Sequence, residues 1–151
     1  MKIEDEIQSK FRNEYHKLMV NLILTSTRMG ERFQHIISEY DITSTQFNVL
    51  RILRGQNKKA VSISLIKERM IDRNSDVSRI IERLVQKKYI ERTENNEDRR
   101  QKDVRITDSG LKLLSKIDVC EKQMDKELKH LPEADAKKLN SLLDKLRNVQ
   151  K

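Results

Sequence analysis

A mostly α-helical chain with one small β-hairpin is what this sequence predicts, and three observations predict it. Apolar residues recur every third or fourth position along most of the chain, the signature of helices with one buried stripe. Only Tyr89 to Thr93 and Val104 to Thr107 switch to strict alternation, the period of a strand. The composition agrees: three Tyr, three Phe, no Trp, three Gly and one Pro in 151 residues form a helix-building vocabulary.

The elements follow in order. From Glu4 to about Tyr40 there is no Pro, and Ile3, Ile7, Phe11, Tyr15, Leu18, Leu22 and Thr25 make one stripe, predicting a single long helix with a kink at Gly30. Such a helix, at 1.5 Å per residue, runs roughly 50 Å and exceeds what a small domain covers, so part of its stripe is expected to meet a second subunit. The second helix has a full start signal: Thr43 as N-cap, Gln46 at the third position, and Ile42 with Phe47 as a hydrophobic staple. Phe47, Leu50 and Leu53 form its core face and Gly55 ends it. Gln56 to Lys59 is a loop, Ala60 and Val61 a short strand, and Ser62 caps a short helix with Leu65, Ile66 and Met70 inward.

After the break Asp72-Arg73-Asn74, the apolar residues Val77, Ile80, Ile81, Leu84 and Val85 predict a helix whose outer face carries Ser75, Ser78, Arg79, Glu82, Arg83 and Gln86. A hairpin with a long polar tip, Glu94 to Asp103, comes next. Asp108 opens a fifth helix with Leu111, Leu114, Ile117, Cys120, Met124 and Leu128 inward. Pro132 sits in the first turn of a sixth, with the stripe Leu139, Leu142, Leu146 and Val149. The whole is expected to be one domain, 1–151, with a lobe at 42–107 and dimerisation helices at 1–40 and 108–151.

Helix, turn, helix and two-stranded ribbon make a winged helix-turn-helix, an arrangement that puts its second helix into the major groove of DNA. The net charge of +8 suits a polyanionic partner. Asn74, Ser75, Ser78, Arg79 and Arg83 are the candidate recognition-helix residues; Arg79 has the geometry for a bidentate contact to guanine, and Arg83, a turn on, for a phosphate. Ser62 and Ser64, at the start of the preceding helix, are candidate phosphate contacts. In the hairpin tip a guanidinium can enter the minor groove, and Asp98, pointing the same way as Arg100 in an extended segment, can hold it outward. Asp98, Arg99 and Arg100 are therefore the candidate wing residues. A winged module that binds protein instead of DNA has no use for two adjacent Arg at its tip.

Other chemistries find no support. His16, His35 and His130 lie on separate segments and one cysteine, Cys120, falls on an inward stripe, so neither a metal site nor a redox pair is expected. No Gly-rich phosphate loop or nucleophile elbow points to catalysis, and no cofactor is implied. No apolar run reaches the roughly 18 residues of a membrane span, and the N-terminus has no apolar signal core, so a cytoplasmic protein is expected.

The residues Thr43-Ser44-Thr45-Gln46-Phe47-Asn48-Val49-Leu50-Arg51-Ile52-Leu53, Ser75 to Leu84, Lys88-Tyr89-Ile90-Glu91-Arg92, Asp98-Arg99-Arg100 and Val104 to Gly110 together resemble the MarR family of transcriptional regulators. The resemblance implies a homodimer on a pseudo-palindromic operator, Arg100 in the minor groove oriented by Asp98, and repression relieved by a small-molecule effector. By analogy an effector pocket would be lined by Arg28, Arg32, His35, Ile36, Tyr40 and Phe47. Two departures stand out. Lys88 occupies a place where the family commonly has Gly, and Asn74 lengthens the approach to the recognition helix, leaving its base-contacting register open by about one position.

Overall fold

Where one long first helix is expected, two form. The computed structural model describes residues 2–95 and 102–148, and in it α1 spans Ile3–Ile7 and α2 spans Glu14–Ser38. Gln8 closes α1 in the left-handed conformation at φ 51, with its N–H on the Glu4 carbonyl. Asn13 opens α2 as an extended N-cap whose side chain accepts from the His16 N–H at 2.9 Å. Polar side chains that bond the local backbone compete with helix, and here Asn13 wins although the apolar spacing stays in phase across the gap. Ion pairs from Glu4 to Lys17 and from Glu6 to Arg28 tie α1 to α2. The expected kink residue, Gly30, lies inside α2.

The chain divides into two compact units, Met1–Leu114 and Ser115–Lys151. The centre of the first is α3, Ser44–Arg54, which starts with the expected capping box on Thr43 and Gln46. Ile42 and Phe47, the two staple residues, are both buried. Its burial goes well beyond the three core positions expected: from Gln46 to Leu53 every residue but Arg51 is buried, because α2, the two helices that follow and a strand all pack on it. Phe47 meets Phe33 of α2 edge to face, with centroids 5.0 Å apart, a geometry favoured by the ring quadrupoles.

Helix α4, Ile63–Arg69, is capped by Ser62, which accepts from the Leu65 N–H. Helix α5, Val77–Gln86, buries Val77, Ile81 and Leu84. It ends in a Schellman motif: the Tyr89 N–H donates to the Leu84 carbonyl and the Lys88 N–H to that of Val85. The residue in the left-handed position is Lys88, at φ 61.

Strands β1, Ile90–Glu94, and β2, Lys102–Ile106, pair antiparallel with Ile90 opposite Ile106 and Glu94 opposite Lys102. The ladder is thus longer at its outer end than the apolar alternation indicates, since polar cross-strand pairs extend it. Arg105 Nε binds Glu91 Oε1 at 2.5 Å and Lys102 pairs with Glu94 at 3.5 Å. Val61 joins the ribbon by an isolated bridge to Val104.

The first turn of α6, Asp108–Leu128, locks onto the end of α5. Thr107 Oγ1 donates to the Lys88 carbonyl and accepts from the Gly110 N–H. Gly110 permits this approach: a Cβ there would lie 2.3 Å from the Tyr89 carbonyl oxygen. Lys58 donates to Asp108 at 2.7 Å, and that hydrogen bond holds the Asp108 carboxyl below its ordinary value.

In the second unit α6 continues to Leu128 and α7 spans Glu133–Arg147, with Pro132 as its N-cap, one position earlier than a first-turn proline. Ile117 is buried, Cys120 and Met124 are half-buried, and Leu128, Leu139, Leu142 and Leu146 are exposed. Val149 lies outside the described residues.

Candidate nucleic-acid interface

The approach to α5 is built by aspartates. Asp72 accepts the Asn74 N–H through Oδ1 at 3.0 Å and the Ser75 hydroxyl through Oδ2 at 2.9 Å. Asp76 is the N-cap and accepts from the Arg79 N–H at 3.1 Å. Asn74 is thereby held in the turn, before the helix begins. Ser75 lies one position ahead of the cap, so the exposed helical face starts at Ser78 and continues through Arg79, Glu82, Arg83 and Gln86.

A shallow cleft of about 200 Å³ gathers Ser75, Asp76, Arg79, Ile80 and Arg83 together with Thr45 from the first turn of α3. Thr45 escapes sequence reading because it looks like one more residue of a helix start. Its signal is its hydroxyl, 2.9 Å from that of the cap residue Thr43. A second cleft, about 400 Å³, is lined by Ser64, Lys67, Glu68 and Arg73. Ser64 is thus in the company of two cations that the sequence reading leaves unassigned; Lys67 stands one turn beyond it on the outer face of α4. Ser62, by contrast, has its hydroxyl oxygen occupied as a cap. Asn74 is exposed on the turn.

The wing candidates Asp98, Arg99 and Arg100 lie outside the described residues. The ribbon that carries them is fixed up to Asn95, whose Nδ2 donates to Asp103 Oδ1 at 3.0 Å.

The residues assigned to an effector pocket are spread along α2 and α3. Arg28 is paired with Glu6, Arg32 and His35 are exposed, Ile36 and Tyr40 are half-buried, and Phe47 packs on Phe33. None of the six lines either cleft. Among the described residues no cluster of three or more His, Cys, Asp or Glu could hold a metal ion, and no helix is long and apolar enough to cross a membrane.

A capped three-helix core with a two-stranded ribbon and an outward, arginine-bearing second helix defines a winged helix-turn-helix protein. Residues 42–102 match the model of the MarR family. It is similar to the HTH-type transcriptional regulator PrsX of Escherichia coli, 26% identical over 113 residues, which are 75% of this chain and 68% of that one. Among solved structures it is similar to a mutant MarR from E. coli complexed with operator DNA, with TM-score 0.79, 26% identity, and 91% of this chain and 99% of that one covered. A MarR-like transcription regulator from Bacillus cereus has TM-score 0.76 at 24% identity, covering 91% and 99% of the two chains. These relatives are regulators, not enzymes.

Proposed function

We propose that this chain binds double-stranded DNA as a homodimer and acts as a transcriptional repressor, relieved by a small-molecule effector. The observation that carries the DNA-binding reading is the outward face of α5, where Arg79 and Arg83, one turn apart, share a cleft with Ser75 and Thr45. Two guanidinium groups and two hydroxyls within one cleft suit a groove edge and its flanking phosphates. The similarity to a MarR seen on operator DNA supports the same reading. Ser64, Lys67 and Arg73 add a phosphate-binding flank, and Asp98, Arg99 and Arg100 the minor-groove wing.

The dimer is supported by apolar side chains left exposed on one chain: Tyr15, Met19 and Ile23 on α2, and Leu139, Leu142 and Leu146 on α7. A regulator of this kind works in the cytoplasm. Arg28, Arg32, His35, Ile36, Tyr40 and Phe47 are the proposed effector contacts.

The test is selection of duplexes from a randomised pool, followed by fluorescence anisotropy on the selected duplex at several salt concentrations. We expect a two-fold related motif and an affinity that falls about 10³-fold or more between 50 and 200 mM salt if at least six phosphates are neutralised. Recovery of no motif, with no salt-sensitive binding, would overturn the reading. De-repression is tested by screening small organic anions and cations for release of that duplex.

A further inference from the structure

Helix α5 is also held at its far end, by a contact that its DNA-facing side chains do not use. Lys87, its C-cap, reaches the corner between α2 and α3, where its ammonium donates to the main-chain carbonyl of Asp41 and, at 2.5 Å, to Asp41 Oδ2. Asp41 stands in the left-handed conformation, φ 54, that turns the chain out of α2. The same corner is tied to α2 by Gln34: its Nε2 donates to the Ile42 carbonyl at 3.3 Å and its Oε1 accepts from the Ser44 N–H at 2.8 Å. One short corner is therefore fastened to α2 on one side and to the end of α5 on the other.

The strength of this fastening argues for direction rather than stability. The Asp41 side chain is 96% exposed, and an ion pair so open to water adds little to folding. The contact joins the C-terminal end of α5 to the corner that follows α2. The buried contacts of α5 lie at Val77, Ile81 and Leu84 and its end is tied to the start of α6 through Lys88, so the Lys87 contact is what ties that same end to the corner after α2.

We infer that Lys87 and Asp41 are positioning residues for DNA reading. Their contact sets the angle between α2 and α5, and so, in the proposed dimer, the separation of the two recognition helices and the half-site spacing that the protein accepts. Two-fold proteins of this class read half-sites about one helical turn apart, and a small change of angle moves that match. The inference rests on the DNA-binding dimer proposed above.

The experiment uses the full chain with Lys87→Met, Lys87→Arg and Asp41→Asn, on the duplex selected by wild type, on variants of it with one base pair inserted or removed between half-sites, and on random duplex. Lys87→Met is expected to lose about tenfold on the selected duplex, little on random duplex, and to discriminate less against altered spacing. Asp41→Asn should do the same more weakly, and Lys87→Arg should restore most of the affinity and the spacing preference. Melting temperatures should stay within a few degrees of wild type. Lys87→Met matching wild type on every duplex overturns the inference alone, since wild type still selects its site. An equal loss on selected and random duplexes also overturns it, making Lys87 a phosphate contact. If Lys87→Met does not fold, Asp41→Asn decides: unchanged spacing preference in that variant overturns the inference. A wild type that selects no duplex removes the DNA-binding reading itself.

Discussion

Lys88 and Gly110 show how much one residue's backbone decides in this lobe. Lys88 ends α5 at φ 61, where a Cβ is disfavoured by about 1–2 kcal/mol. Lys88→Gly should therefore stabilise the chain by about 0.5–1 kcal/mol after the extra freedom of Gly in the unfolded state is counted, read as a shifted urea midpoint. No gain would show that the lysine side chain contributes as much as its conformation costs. Gly110 is the reverse case. A Cβ there would meet the Tyr89 carbonyl oxygen at 2.3 Å and Ile106 Cγ1 at 2.8 Å, and the first of these is backbone that cannot rotate away. Gly110→Ala should destabilise by about 2–3 kcal/mol, and a neutral result in the same melt would mean that α6 can lift off Tyr89. At Arg79 the expected effect is on reading: Arg79→Ala should lose about 1–3 kcal/mol on the selected duplex and relax preference at one base pair per half-site. Equal loss on random duplex would reassign it to a phosphate.

At the scale of elements, caps and short ion pairs determine where helices begin. Thr43 and Gln46 exchange both bonds of a capping box, so Thr43→Ala should weaken the lobe by about 0.5–2 kcal/mol. Asp108 opens α6 with its carboxyl lowered by the hydrogen bond from Lys58, and secondarily by that charge. The sign follows: with a folded pKa below the unfolded one, the contribution is in place above the ordinary carboxylate range and is lost as pH falls through the lowered value. In Lys58→Met the Asp108 carboxyl, followed by carbon-detected NMR, should titrate at higher pH than in wild type. An unmoved titration would mean that the pair does not persist in solution.

For the molecule as a whole, the question is what covers the apolar side chains that one chain leaves open. Leu139, Leu142 and Leu146 are each about half exposed on α7, and Tyr15 and Ile23 more so on α2. Removing α7 by truncation at Pro132 should leave monomer or aggregate in sedimentation, because it takes away the exposed stripe Leu139, Leu142 and Leu146 that the proposed dimer would cover. A well-folded dimer of the truncated chain would place the interface elsewhere.

Most of the lobe was legible in residue order because its signals are local. Thr43 with Gln46, Ser62 with Leu65, and the spacing Val77, Ile80, Ile81, Leu84 specify caps and faces within one or two turns, and the change to alternation at Tyr89 marks the ribbon. Lys88 stood out only through the resemblance, as a residue where the family commonly has Gly; the left-handed backbone that explains it is seen in the structure. Tertiary structure decided what periodicity cannot carry. Ile3, Ile7, Phe11 and Tyr15 keep helical spacing across a break that begins where the Gln8 N–H closes α1 on the Glu4 carbonyl and ends where the Asn13 side chain caps α2, and Tyr15 then emerges 83% exposed. Thr45 joins Arg79 and Lys87 joins Asp41 only because α3 and α5 pack together. Contacts between residues far apart in the chain depend on the direction of packed elements, and a pattern along one element determines only which side is buried.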